Sequence, residues 1–222
     1  MTRRFSILAR AVAMTIAVTG VPDVARGQAS PPPAAGGQAD SWRFTASVGP
    51  WAARNAVIIG ANGASTTLGG GAAFTADVSY DVTRRVAIYG GGLAAFSQVS
   101  PGASLRSDIT GASDRVTVMG ATGGLLLGVP GGILGRLEPT IRVGGGMKGY
   151  RFDLGADANQ WRPMGDFGFG LRGGPGGPLD IHVEARYLAS SIDQAKLPTR
   201  GIVPQVQRQG DLLLTVGVSL RP

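Results

Sequence analysis

The segment 137–155 reads LEPTIRVGGGMKGYRFDLG, and its glycines Gly144, Gly146 and Gly149 fit the G-x-G-x-x-G spacing of a dinucleotide-binding turn. Such a turn needs a strand that ends at the glycines and a helix that starts there, with its N-terminus facing the phosphates. Here the alternation runs straight through. Ile141, Val143, Gly145 and Met147 fall on one face, and Arg142, Gly144, Gly146 and Lys148 on the other. The segment therefore reads as one long strand with two different faces. The same spacing recurs at Gly168, Gly170 and Gly173, again inside an alternating run, and 37 glycines among 222 residues make chance matches expected.

Outward from this segment, period-two alternation recurs from Ser41 to the end, and no stretch shows helical periodicity. Leu212, Leu214, Val216, Val218 and Leu220 alternate with Asp211, Leu213, Thr215, Gly217, Ser219 and Arg221. Ile181, Val183, Ala185 and Tyr187 alternate with His182, Glu184, Arg186 and Leu188. Trp161, Phe167, Phe169 and Leu171 alternate with Arg162, Asp166, Gly168, Gly170 and Arg172. The pattern predicts eight strands, at roughly 41–49, 71–82, 85–98, 114–128, 136–150, 161–173, 179–190 and 210–221. Their connections alternate between short turns, such as VPGGILG (129–135) and GPGGP (174–178), and longer loops. An even strand number with alternating loop lengths predicts an all-β, eight-stranded antiparallel up-and-down transmembrane β-barrel, with short periplasmic turns and longer extracellular loops. A soluble up-and-down barrel shares the strand count but has less reason for the loop bias.

The first residues fit export. Arg3 and Arg4 precede an apolar run, and small residues stand at Gly27 and Ala29, so residues 1–29 read as a secretory signal peptide cleaved after Ala29. Cleavage removes four arginines and one aspartate, which lowers the formal charge from +7 to +4. Residues 30–40, SPPPAAGGQAD, have the composition of a flexible periplasmic tail. Residues 41–222 are then enough for one barrel domain. The chain has no cysteine, which excludes a disulfide framework and a lipidated cysteine.

Two faces exist, and three features assign the apolar one to the outside. Lysine occurs after the leader only at Lys148 and Lys196, whereas a solvated exterior carries many lysines and glutamates. Glycine accompanies charge of both signs on the polar face, which gives long side chains room in a narrow lumen. The predicted lumen network comprises Asp77, Glu138, Arg142, Lys148, Asp166, Arg172, Glu184 and Arg186. Aromatic residues lie near the predicted strand ends at Trp42, Trp51, Phe74, Tyr80, Phe96, Tyr150, Phe152 and Trp161, where interface girdles are expected. Pro139 and Pro163 fall within predicted strands but near their ends, where frayed pairing or a bulge tolerates them.

The leader, eight amphipathic strands and alternating loops resemble the small eight-stranded outer-membrane barrels of the OmpA and OmpX type. The resemblance implies residence in the bacterial outer membrane, with outer-membrane lipid and the barrel-assembly machinery as partners. That family typically ends its last strand in an aromatic residue, whereas this chain ends Leu220-Arg221-Pro222.

Chemistry is sparse. His182, the one histidine, has Asp180 and Glu184 on its own face, but no serine is locally tied to it, and a polar lumen residue is the better reading than a general base. Asp153 and Asp157 lack the glycine and distal glutamate of a calcium loop. The arginines are scattered singly among strand faces and form no nucleic-acid stripe. The expectation is a barrel with no enzymatic activity and no cofactor, with a structural or surface-recognition role, a side-chain-filled lumen, and no loop ligand named by the sequence. The alternatives are a narrow outer-membrane pore and a soluble lipocalin-like ligand-binding barrel.

Overall fold

The computed structural model describes residues 41–54, 56–59, 65–100, 115–129, 137–152, 159–174, 178–193 and 206–222. The leader, the tail and most connections lie outside these residues. The described residues form ten strands: β1 (Trp42–Ala53), β2 (Ala56–Ile59), β3 (Ser65–Leu68), β4 (Gly71–Asp81), β5 (Val86–Ser100), β6 (Arg115–Gly128), β7 (Glu138–Phe152), β8 (Gln160–Gly173), β9 (Leu179–Asp193) and β10 (Val206–Leu220). Eight of them pair in the order β5-β4-β1-β10-β9-β8-β7-β6, and β6 pairs back with β5. Every junction is antiparallel, so the sheet closes on itself.

Alternation in the sequence becomes alternation in exposure. Along β10, Leu212, Leu214, Val216, Val218 and Leu220 are exposed, while Asp211, Leu213, Thr215 and Ser219 are buried. Cross-strand register carries the same parity around the wall. Ile88, Leu125, Val143, Phe167, Tyr187 and Leu212 are successive partners across β5, β6, β7, β8, β9 and β10, and all six are exposed. A soluble monomer rarely exposes a contiguous apolar surface beyond a few hundred Å². The reading of a soluble lipocalin-like barrel, apolar inside and polar outside, fails on this point.

Length suits a membrane. A strand of 15 residues such as β7 is roughly 50 Å long and, at a tilt of about 40°, rises roughly 38 Å, more than an apolar band of about 25 Å. The strands therefore run past the band. The end holding Ser41 and Pro222 is called the terminal end below, and the opposite one the loop end. The turn between β4 and β5 closes the terminal end: Val82 N and Thr83 N donate to Val86 O at 2.9 Å each, and Thr83 Oγ1 accepts Val86 N at 3.0 Å.

Two details depart from the sequence reading, and a third agrees with it. β1 runs on to Ala53, because Pro50 interrupts the ladder on one side alone: it is paired with Ala72 of β4, while the β1–β10 ladder skips Gly49 and Pro50; β10 begins at Val206, where it pairs with Asp193 of β9. The first long connection holds a hairpin, β2 with β3, which continues onto β5 through Thr67↔Ser100 and Leu68↔Val99. The β-branched run Val57-Ile58-Ile59 ahead of Asn62-Gly63 is the sequence signal for it. Finally, Pro139 and Pro163 are each paired on one side: with Leu171 and Met147 across the β7–β8 ladder. The opposite ladders stop short of them, β6–β7 at Gly128↔Thr140 and β8–β9 at Gly165↔Ala189.

Where the β8–β9 ladder stops, side chains take over at the loop end. Gln160 Oε1 accepts Asp193 N at 2.8 Å, Gln160 Nε2 donates to Asp193 O at 3.3 Å, and Arg162 Nη2 donates to Asp193 Oδ2 at 2.6 Å. These bonds stand in for backbone pairs that Pro163, lacking an N–H, cannot complete.

Candidate functional site: the lumen

The inward positions build two layers. The polar layer centres on Arg142 of β7. Its Nε donates to Glu184 Oε1 at 2.8 Å and its Nη2 to Asp77 Oδ2 at 3.0 Å, and its Nη1 lies 3.8 Å from Asp166 Oδ2. The guanidinium carbon sits 4.1 Å from the centroid of the Tyr89 ring, whose hydroxyl donates to Asp166 Oδ2 at 2.8 Å. Arg186 completes the cluster, with Nη2 and Nε donating to Asp166 at 2.6 and 3.2 Å. Asp77, Tyr89, Arg142, Asp166 and Glu184 with Arg186 come from β4, β5, β7, β8 and β9, so one network ties five strands across the lumen. Buried ion pairs of this kind add little net stability over apolar packing, but stripping one partner from them is costly.

Glycines make the room. A Cβ on Gly144 would meet the Tyr89 hydroxyl, one on Gly91 the Asp77 carboxylate, and one on Gly168 the side chains of Arg186 and Glu184. The glycine-rich stretch of β7 thus serves the hydroxyl that bonds Asp166. It opens no helix and cradles no phosphate.

Toward the loop end the lumen turns apolar. Trp51, Leu93, Val116, Val118, Tyr150, Met164, Leu188, Ile192 and Leu213 pack together inside the wall, all buried. Within this layer Lys148 Nζ donates to Asp211 Oδ2 at 2.6 Å, both side chains wholly buried, and lies 5.0 Å from the Tyr150 ring centroid. Toward the terminal end the pairs are peripheral. Arg43 meets Asp81 at 2.9 Å, Arg172 meets Glu138 at 2.6 Å, and Arg221 meets Asp180 at 3.0 Å.

The structure divides the eight predicted lumen residues. Asp77, Arg142, Asp166, Glu184 and Arg186 form the central cluster. Glu138 and Arg172 pair with each other apart from it, and Lys148 pairs with Asp211, a partner the sequence reading did not include. Distance along β7 is the reason: Glu138 and Lys148 stand roughly 13 and 20 Å from Arg142 at about 3.3 Å per residue. The apolar layer was missed as well, because Met164, Leu188, Ile192 and Leu213 share the parity of the charged residues on their own strands and were not weighed as lumen filling.

Among the aromatics, Trp42 and Tyr80 meet on the outer face at the terminal end, with ring centroids 5.0 Å apart. Phe74 and Phe96 meet outside nearer the loop end at 6.4 Å. Trp161 is exposed and its indole covers the outer side of Gly149. Trp51 and Tyr150, however, are 1% exposed and point into the lumen, so neither belongs to an outer girdle. Parity explains both corrections. The even positions of β1 face outward, which sends Trp51 inward, and the odd positions of β7 face outward, which does the same to Tyr150. The side chain of Phe152 and the residues Asp153 and Asp157 lie outside the described residues.

His182 is buried in the lumen near the terminal end, and among the described residues its Nδ1 has no protein partner and no serine is bonded to it. Among the described residues no group of three or more histidines and carboxylates is placed to hold a metal ion.

No protein-family model matches the chain, and no curated protein sequence does. Among solved structures it is similar to the outer membrane protein OprG from Pseudomonas aeruginosa, at a TM-score of 0.52 with 14% identity over 84% of this chain and 98% of that one. It is also similar to Neisserial surface protein A, at 0.50 with 11% identity over 81% and 96%. The chain has the fold of the small eight-stranded outer-membrane β-barrels. Neither name denotes an enzyme. The outer membrane protease OmpT from Escherichia coli is also among the similar structures, at 0.41 with 8% identity over 83% and 97%. The apolar exterior and the closed ladder agree with this fold, since in lipid every backbone N–H and C=O must find a partner and a closed barrel is how strands achieve it.

Proposed function

We propose that this chain is a non-enzymatic barrel of the bacterial outer membrane with a filled lumen, serving as a structural element or as a rigid platform that presents its loops for recognition at the cell surface. The observation that carries the reading is the filling itself: the Arg142 cluster and the apolar layer above it occupy successive levels of one lumen. An eight-stranded barrel has an interior that side chains just fill. In this reading the leader exports the chain, the barrel-assembly machinery inserts it, and the terminal end faces the periplasm.

Two measurements test it. Membrane fractionation with gel mobility before and after boiling should place the chain with outer-membrane lipid and give two band positions; a soluble chain with one band position would overturn the reading. In a planar lipid bilayer the reconstituted chain should add no discrete current steps. Steady single-channel steps would instead establish the narrow pore.

A further inference from the structure

The outward positions of the barrel wall carry charge at one end only. Among the described residues these charges are Arg54, one step past β1, Arg115 of β6, Arg151 of β7, Arg208 of β10 and Asp193 of β9. All lie at the loop end. Asp193 is held by Arg162 at 2.6 Å, the four arginines are exposed, and among the described residues no carboxylate pairs with Arg54 or Arg151. At the terminal end Arg84 and Arg85 lie in the turn between β4 and β5, outside the strands.

Register gathers the four arginines into two pairs. Arg54 N donates to Gly210 O at 2.8 Å, which sets Arg54 diagonally to Arg208 across the β1–β10 junction. Thr117 is the partner of Arg151, which sets Arg115 diagonally to Arg151 across the β6–β7 junction. Diagonal neighbours stand roughly 7 to 8 Å apart, so two side chains as long as arginine can share one anion. The two junctions are separated by β4 and β5 one way round and by β8 and β9 the other, which puts the pairs on opposite sides of the barrel. Each pair has an exposed aromatic below it on the outer face: Trp161 covers Gly149 beneath Arg151, and Tyr187 covers Gly210 beneath Arg208.

Height identifies what meets them. Arg54 and Arg208 stand 12 positions from Trp42 and Leu220, and Arg115 and Arg151 stand 10 positions from Leu125 and Ile141, the exposed apolar residues nearest the terminal end on those strands. At about 3.3 Å per residue and a tilt of about 40°, these offsets rise roughly 25 to 30 Å, the height of an apolar band. The guanidinium groups therefore stand at headgroup level, above a wall that acyl chains cover, and tryptophan and tyrosine rings favour the same level. A leaflet of net-neutral lipids gives no reason for one sign of charge, whereas an anionic headgroup does. The planar fork of arginine matches phosphate with parallel N–H donors. We infer that each arginine pair binds one phosphate-monoester lipid of the leaflet at the loop end, with its acyl chains against the apolar wall below. The inference rests on the outer-membrane barrel reading above and deepens it by naming the lipid.

Native mass spectrometry of the full chain in detergent micelles tests it, with bisphosphorylated lipid A as the probe and the same lipid stripped of phosphate as the control. The phosphorylated probe should bind in up to two copies and at least about tenfold more tightly than the control, the worth of a single charge-assisted hydrogen bond. Arg115→Gln with Arg151→Gln should lose one copy, and adding Arg54→Gln with Arg208→Gln should lose both. Equal affinity for the two lipids overturns the inference and needs no variant to fold. Undiminished binding in the fourfold variant overturns it too. So does tighter binding of a soluble sulfated polysaccharide than of the phosphorylated probe, which would assign the arginines to a ligand outside the membrane. Gel mobility before and after boiling separates this inference from the reading beneath it. A chain with two band positions and no phosphate preference loses the lipid site alone, and one with a single band position loses the barrel reading as well.

Discussion

Arg142→Met tests whether the lumen is held as described. Arg142 faces three carboxylates, at 2.8 Å to Glu184, 3.0 Å to Asp77 and 3.8 Å to Asp166. Methionine removes the cation from all three but does not strand them equally. Asp166 keeps Arg186 at 2.6 Å and the Tyr89 hydroxyl at 2.8 Å, whereas Asp77 and Glu184 have no other cation within ion-pair distance among the described residues. Breaking a buried pair by removing one partner costs about 3 to 5 kcal/mol, and two stranded carboxylates put this variant at the upper end, about 5 kcal/mol. The assay is urea unfolding of the chain reconstituted in lipid vesicles, followed by tryptophan fluorescence and gel mobility, with the free energy taken from midpoint and slope. Adding Asp77→Asn and Glu184→Gln to Arg142→Met should restore at least half of the loss, since a stranded neutral amide costs less than a stranded charge. A loss below about 1 kcal/mol in the single variant would refute the account of the network. So would a triple variant no more stable than the single one.

Other consequences follow from the wall. Val216 is 52% exposed on the outer face of β10, and Val216→Arg should cost about 2 to 4 kcal/mol in vesicles if it meets lipid near mid-membrane; unchanged stability would mean that the faces are inverted. Gly144→Ala forces a Cβ against the Tyr89 hydroxyl and the Gly123 carbonyl and should cost about 1 to 3 kcal/mol, while Gly90→Ala, whose Cβ would meet nothing closer than 4.0 Å, should cost little. Equal midpoints for the two in the same urea assay would remove the steric account. Asp193→Ala takes away the acceptor that joins β9 to Arg162, so hydrogen exchange should quicken at the loop ends of β8 and β9 and stay unchanged around Phe167. Uniform exchange in both regions would show that the side-chain bridge does not hold that junction.

Much of the fold was legible because a strand's two faces alternate strictly, so a residue's parity reports its side wherever one face is buried. Strand ends were read less well. The first strand was read as ending at 49, yet a proline that turns its missing N–H toward one neighbour leaves the other ladder intact, and β1 continues through Pro50 to Ala53. Trp51 and Tyr150 were placed in girdles by nearness to strand ends, although parity already sent both inward. Nearness to an end says nothing about face.

Eight long amphipathic strands, an apolar face turned outward and a G-x-G-x-x-G spacing that lies within a strand can all be read along the chain before any folding. All of this is local, set by period and composition. Which charges meet was decided by the tertiary structure alone. Arg142, Asp77, Asp166 and Glu184 come together, while Lys148 leaves them for Asp211 across the lumen. The reason is geometric. A barrel fixes the height of each residue through stagger between neighbouring strands. That stagger comes from ladders closing around the whole ring, so no single strand contains it.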